Sequence, residues 1–264
     1  MASDLSPAAA GPITLAGRTI LVTGAARGLG RAFAEAVAAA GAARVILADR
    51  DAEGGAAAAA ELSATGVDAR FLAYDQGDPA SIDAFAATLA RDYGVIDGLV
   101  NNAALATGVG GKPATEVEVD LFDRVMAINV RGLWLLTRAL TPLLAASSLG
   151  GRVVNLASDT ALWGAPNLIA YVASKGAVIS MTRSLAREMG GAGTTVNAIA
   201  PGIVLTESTE YVPAARHKLY VEGRALSRPQ MPEDVTGVVV FLLSTQAGFI
   251  SGQLLPVNGG FVFN

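Results

Sequence analysis

In "YVASK" (171–175) a tyrosine stands four residues before a lysine. Residues at that spacing share one face of a helix, with Cβ atoms about 5–6 Å apart. The phenol of Tyr171 and the ammonium of Lys175 therefore project side by side. A free tyrosine titrates at about 10 and is a poor base at neutral pH. A neighbouring ammonium favours the phenolate and lowers that pKa. A phenol tuned in this way can exchange a proton with a substrate hydroxyl. Alone, such a pair is an ordinary feature of a solvated helix face. Ser158 changes its weight: it closes "GRVVNLAS" (151–158), thirteen residues before Tyr171. A hydroxyl at a strand end can hold a substrate oxygen against the phenol and stabilise charge there, as oxyanion donors do.

A second constellation lies near the start of the chain. "TGAARGLG" (23–30) places Gly24, Gly28 and Gly30 between an apolar run and a helical one. Such a turn lets the backbone bend sharply and approach a pyrophosphate, while the helix N-terminus offers free N–H groups to the anion. Asp49 follows Gly30 by nineteen residues, at the end of the next apolar run. A carboxylate there can accept hydrogen bonds from ribose hydroxyls. A glycine-rich turn with Asp49 as a helix cap is the plainer reading, but it does not account for both features within one βαβ unit.

The elements that must position these groups alternate. Apolar runs at 18–23, 43–49, 68–75, 96–103, 151–158, 194–200 and 253–258 read as strands. Helical spacing occupies 28–41, 52–66, 78–94, about 119–147, 169–189 and 232–245. Strands alternating with helices of this length predict an α/β fold: a single-domain, Rossmann-type, doubly wound parallel β-sheet with helices on both faces. Residues 1–14 read as a mobile lead-in and 15–264 as the one domain. The mixed stretch 203–229 is expected to be a loop over the substrate.

Composition removes several mechanisms. The chain of 264 residues has no cysteine and one histidine, His217, which excludes thiolate chemistry and cysteine-ligated zinc. His217 lies in the polar stretch "PAARHKLY" and reads as a surface residue. A net charge of −4 with scattered Arg and Lys offers no field for nucleic acid. No apolar run approaches the roughly 18–20 residues of a membrane span. The N-terminus has no basic stretch followed by an apolar core, so no secretory signal is expected and the cytoplasm is the expected compartment.

Taken together, "TGAARGLG" (23–30), "NNAA" (101–104), "INVRG" (128–132), Ser158, "YVASK" (171–175), "PG" (201–202) and "GQLLPVNGG" (252–260) make the chain resemble the short-chain dehydrogenase/reductases over about 15–262. Ala104 departs from the glycine usual after "NNA". The resemblance implies NAD-dependent hydride transfer between an alcohol and a ketone, with Tyr171 as general acid/base. It implies that Asn129 completes a tetrad with Ser158, Tyr171 and Lys175 by positioning a water that relays protons through Lys175. It also implies cofactor contacts from Gly24, Arg27, Gly28, Leu29, Gly30, Asp49, Asp75, Asn102, Tyr171, Lys175, Pro201, Gly202, Val204 and Thr206. A homotetramer is the implied assembly, and the apolar surface of 120–146 exceeds what one buried face requires. Asn155 and Asn197 read as structural.

Leu105, Asp159, Trp163, Leu168, Leu205 and Tyr211 are the candidate substrate wall, with core packing or a subunit contact as the other reading of Trp163. No arginine or lysine falls where the motifs place that wall, so a neutral secondary alcohol or ketone is expected. Arg27 and Asp49 pull in opposite directions on the cofactor, and the carboxylate favours NAD. Alternative readings are a catalytically silent dinucleotide-binding regulator on the same fold and an NADP-preferring carbonyl reductase. A sugar-nucleotide epimerase would carry an added substrate domain.

Overall fold

The computed structural model describes residues 11–264. Most of the lead-in expected over 1–14 lies outside the described residues. Within it, the carbonyls of Gly11 and Pro12 accept hydrogen bonds from Gln246 Nε2.

Seven strands form one parallel sheet in the order β3-β2-β1-β4-β5-β6-β7. They are β1 (Thr19–Thr23), β2 (Arg44–Asp49), β3 (Asp68–Ala73), β4 (Gly98–Asn101), β5 (Arg152–Leu156), β6 (Thr195–Pro201) and β7 (Leu254–Val257). Alternate residues of each strand face opposite layers, and both layers are covered. Ile20 and Val22 pack with Phe33 and Val37 of α1 (Gly28–Ala39), Leu62 of α2 (Ala52–Ser63), and Val235 and Val239 of α9 (Glu233–Leu243). Leu21 turns the other way, toward Ile82 and Phe85 of α3 (Pro79–Asp92) and Leu136 and Leu140 of α5 (Leu133–Ala145). Covering on both sides is why the strands read as near-continuous apolar runs.

Two departures from the sequence reading bear on the site. The single helix expected over 119–147 is α4 (Val119–Met126) and α5 joined by a π-helical turn, Ala127–Gly132. The extra residue in that turn carries Asn129 into the interior, where it is 1% exposed. The stretch 203–229 is not all loop, since it contains α8 (Ala214–Gly223). A further short helix, α6 (Thr160–Trp163), follows Ser158 and precedes α7 (Ile169–Met189). Among the described residues, no helix is long and apolar enough to cross a membrane.

Candidate active site

The chain leaves β1 toward β2 and β3, then returns to β4 on the other side of β1. Such a reversal opens a crevice at the carboxyl ends of the strands. Here it is a cavity of about 720 Å³.

One end is built from β1, α1 and β2. Gly24 has φ +65, a left-handed conformation that favours glycine. A Cβ on Gly30 would lie 2.0 Å from the Gly24 carbonyl oxygen, so the helix approaches the strand only because this side chain is missing. Asp49 closes the turn from the next strand: Oδ2 accepts the Ala26 N–H at 3.1 Å, and Oδ1 accepts the Asp51 N–H at 3.0 Å. Each oxygen keeps a second lone pair for a ligand. Asn102 Nδ2 donates to the Thr23 carbonyl at 2.8 Å, tying β1 to the end of β4. Gly24, Arg27, Leu29, Gly30, Asp49, Asp75 and Asn102 line the cavity, and Gly28 and Thr206 stand outside the lining. A tight glycine turn, the open N-terminus of α1 and a held carboxylate at the end of β2 fit a dinucleotide. Arg50 also lines this end, and sequence reasoning missed it, although it directly follows Asp49. Tyr74 and Gln76 were missed as well: the Tyr74 hydroxyl donates to Gln76 Oε1, and Gln76 Nε2 donates to the carbonyls of Ala103 and Ile128 to form the floor.

Ser158, Tyr171 and Lys175 meet at the other end, joined in the lining by Pro201, Gly202 and Val204. Ser158 Oγ accepts the Thr160 hydroxyl at 2.9 Å and the Thr160 N–H at 3.3 Å. Its own proton is left to donate. The Tyr171 phenol has Ser158 as its hydrogen-bonding neighbour. Lys175 Nζ lies 5.6 Å from the Tyr171 ring centroid and donates to the Leu156 carbonyl at 2.6 Å. Burial pushes the phenol up to about 12, and the bond to Ser158 offsets only part of that. Burial also lowers Lys175 to about 8. The expected lowering of the phenol pKa by Lys175 is thus overturned for the protein alone. Desolvation of a buried acid outweighs an ammonium that is itself desolvated and turned toward a carbonyl.

Asn129 does not line the cavity. Its Oδ1 accepts the Leu105 N–H at 2.7 Å, and its Nδ2 donates to the Leu105 carbonyl and to Ser174 Oγ, each at 3.1 Å. The side chain therefore clamps the loop after β4 to α7. Asn155 links Asn101 to Thr182, and Asn197 holds Ile250 and Gln253.

Of the expected substrate wall, Leu105, Asp159, Leu168 and Tyr211 line the cavity, while Trp163 and Leu205 do not. Leu205 is held by a backbone bond to Gln230, and its side chain is exposed. Trp163 packs edge-on against Tyr220 and Phe261, at 6.2 and 5.6 Å between ring centres. Its indole N–H donates to the Tyr220 hydroxyl at 3.1 Å. Tyr220 in turn donates to Asp159 Oδ1 at 2.7 Å. Burial raises Asp159 to about 7, against the opposing hydrogen bond from Tyr220 and the charge of Arg224. The expectation of a wall free of arginine is overturned: Arg216 of α8 lines the cavity. Its stretch carries no motif, and only the folding back of α8 brings it there. His217, beside it, is outside the lining.

A glycine turn, a carboxylate at the end of β2 and a Ser–Tyr–Lys cluster at one sheet reversal define a dinucleotide-dependent oxidoreductase of the α/β type. The comparisons agree. A family model described as Enoyl-(Acyl carrier protein) reductase matches residues 24–262. Sorbitol dehydrogenase of Cereibacter sphaeroides is 40% identical over 258 residues, 93% of this chain and 98% of that enzyme. D-threitol dehydrogenase of Mycolicibacterium smegmatis is 38% identical, covering 94% of each chain. A solved chain from Beutenbergia cavernae is provisionally assigned as an NAD(P)-dependent gluconate 5-dehydrogenase and holds NADP at low occupancy. It is 38% identical with a TM-score of 0.88, covering 95% of this chain and 99% of that one. The chain belongs to the short-chain dehydrogenase/reductase family.

Proposed function

We propose that the chain interconverts a secondary alcohol of a polyhydroxylated carbon chain and the matching ketone, with NAD as cofactor. The observation that carries this reading is the convergence of Ser158, Tyr171 and Lys175 at the sheet reversal, across one cavity from Asp49. The sorbitol and threitol dehydrogenases among the relatives support the substrate class. When bound, the nicotinamide accepts hydride from the carbinol carbon and, in its oxidised form, adds positive charge. Ser158 donates to the substrate oxygen and holds it at the phenol. Tyr171 takes the hydroxyl proton in oxidation and returns it in reduction. Lys175 carries the buried positive charge that favours the phenolate form, and Asn129 keeps the loop bearing Leu105 in place. Any part of Asn129 in a proton relay comes from its backbone in the π-turn, because its side-chain donors are engaged.

The carboxylate of Asp49 supports NAD, since the phosphate of NADP would bring like charge against it. Arg27 and Arg50, with the NADP in the Beutenbergia cavernae structure, favour NADP as the second reading. A homotetramer is the proposed assembly: Val119 and Trp134, on α4 and α5, leave large apolar side chains exposed. The test is NADH or NADPH formation with sorbitol, galactitol, threitol, 2,3-butanediol, gluconate and sorbitol 6-phosphate. Cofactor binding with no turnover across that panel would leave the silent regulator in its place.

A further inference from the structure

We propose that Arg216 makes the substrate end of the cavity a receptor for an oxyanion. On this reading, which rests on the dehydrogenase function above, the polyhydroxylated substrate ends in a carboxylate or a phosphate.

Arg216 sits in the first turn of α8 and lines the cavity with Leu168, Tyr211 and Pro213. Its guanidinium lies over the Trp163 ring, 5.9 Å from the centroid, and Nη2 donates to the Pro166 carbonyl at 3.1 Å. A guanidinium has five N–H donors in a planar fork. One has a protein acceptor here, and the others have none among the described residues. Arg216 takes part in none of the ion pairs among the described residues. The carboxylates around it are otherwise engaged or turned away. Asp159 is bonded to Tyr220 and sits beside Arg224. Glu222, on the same helix, lies on the exposed side with Lys218. Glu207 and Glu210 are exposed.

The placement is also pre-organised. The cation–π contact with Trp163 and the bond to Pro166 restrict the fork, so a ligand need not order a wholly free side chain. A fork of this kind matches carboxylate and phosphate oxygens, whereas a polyol hydroxyl uses one donor at a time. The plainer alternative is a strut, with Arg216 pinning α8 to the 166–168 loop. A strut would support all substrates alike, and a receptor would support only charged ones.

The experiment uses the full chain with saturating NADH, with which an alcohol cannot react, and three ligands that share six carbons: sorbitol, gluconate and sorbitol 6-phosphate. Isothermal titration should show at least one anion binding about 10- to 100-fold more tightly than sorbitol, the range expected for hydrogen bonds to a charged group. Which anion wins separates carboxylate from phosphate. Arg216→Met keeps the stem and should bring the preference to within about threefold. Arg216→Lys should restore part of it, because the charge returns without the fork. Sorbitol binding as tightly as both anions in the wild type would overturn the proposal whatever the variants do. So would an Arg216→Met protein that keeps the preference. Turnover is read separately: an anion that binds through Arg216 but is never oxidised, with NAD or NADP, counts against the dehydrogenase reading and leaves the receptor standing. Equal binding of all three ligands with brisk oxidation does the reverse.

Discussion

The two ends of the cavity are built differently. At the cofactor end the hydrogen bond that holds the glycine turn, Ala26 to Asp49, spans 23 residues. At the substrate end Tyr211 reaches the Ala106 carbonyl across 105 residues, and Tyr220 reaches Asp159 across 61. The turn at one end belongs to a single βαβ unit, which Gln76 and Asn102 complete from farther along the chain. The other exists only after Tyr211 and α8 fold back against the segments that follow β4 and β5. A locally built end can keep one ligand while a remotely built end changes, because alterations in α8 leave the β1–α1–β2 unit untouched. The reacting groups sit on the border, with Ser158 and Tyr171 on elements that both ends share.

The largest effect tests that border. Tyr171→Phe should lower kcat by about 10²–10⁴-fold, the usual contribution of a general acid–base group. NAD binding, read by fluorescence titration, should stay close to that of the wild type. A variant retaining more than about a tenth of wild-type kcat would remove Tyr171 from its assigned role.

The pH profile comes next. Oxidation needs the base form of a phenol that burial holds up to about 12 in the protein alone, so kcat should rise with pH by up to about tenfold per unit above neutrality. A flat profile from pH 6 to 10, with a solvent isotope effect showing that proton transfer limits the rate, would contradict a titrating phenol.

A change confined to the cofactor end should leave the substrate end alone. NAD should exceed NADP in kcat/KM by at least about tenfold, because like charges about 4 Å apart repel by roughly 4 kcal/mol at an effective dielectric of about 20. Asp49→Ser should shrink that ratio without changing the ranking of alcohols. Equal turnover of both cofactors by the wild type would mean that Arg27 and Arg50 outweigh the carboxylate.

The smallest expected effect is on stability, and it comes from two buried groups. Asp159 keeps its proton to about 7 in the folded chain but loses it near 3.8 when unfolded. The folded state therefore binds more protons between these values, and stability should fall as pH rises from 4 to 7. Lys175, lowered to about 8 from 10.5, binds fewer protons when folded, so stability should rise from pH 8 to 10.5. The contributions are bounded at about 4 kcal/mol for Asp159 and about 3 kcal/mol for Lys175. Urea titrations across pH should show Asp159→Asn flattening the first limb and Lys175→Met the second. A first limb unchanged in Asp159→Asn would show that the carboxyl titrates normally.

Much of this was legible in the chain before folding is considered. The succession of apolar runs, the glycine turn with Asp49, and the Tyr171–Lys175 spacing are patterns within a few turns of backbone, which continuous apolar runs, turn residues and the 3.6-residue helical period report directly. Asn129 was visible only as a poor helix former, because the π-turn that buries it depends on what Leu105 and Ser174 offer from elsewhere. Trp163 was misread as wall because adjacency to Ser158 does not say which way a side chain turns. Phe261 and Tyr220, far along the chain, draw it aside.

By itself, then, the sequence determined the alternation of strands and helices, the glycine turn followed by Asp49, and the Tyr171–Lys175 pairing on one helix face, since each is written in residue types and spacings along the chain. Tertiary structure alone decided that Arg216 stands in the substrate end, that Asp159 is sealed behind Tyr220, and that Tyr171 is harder to ionise than a free phenol. Desolvation and long-range packing set all three, and neither exists until segments fifty or more residues apart have come together.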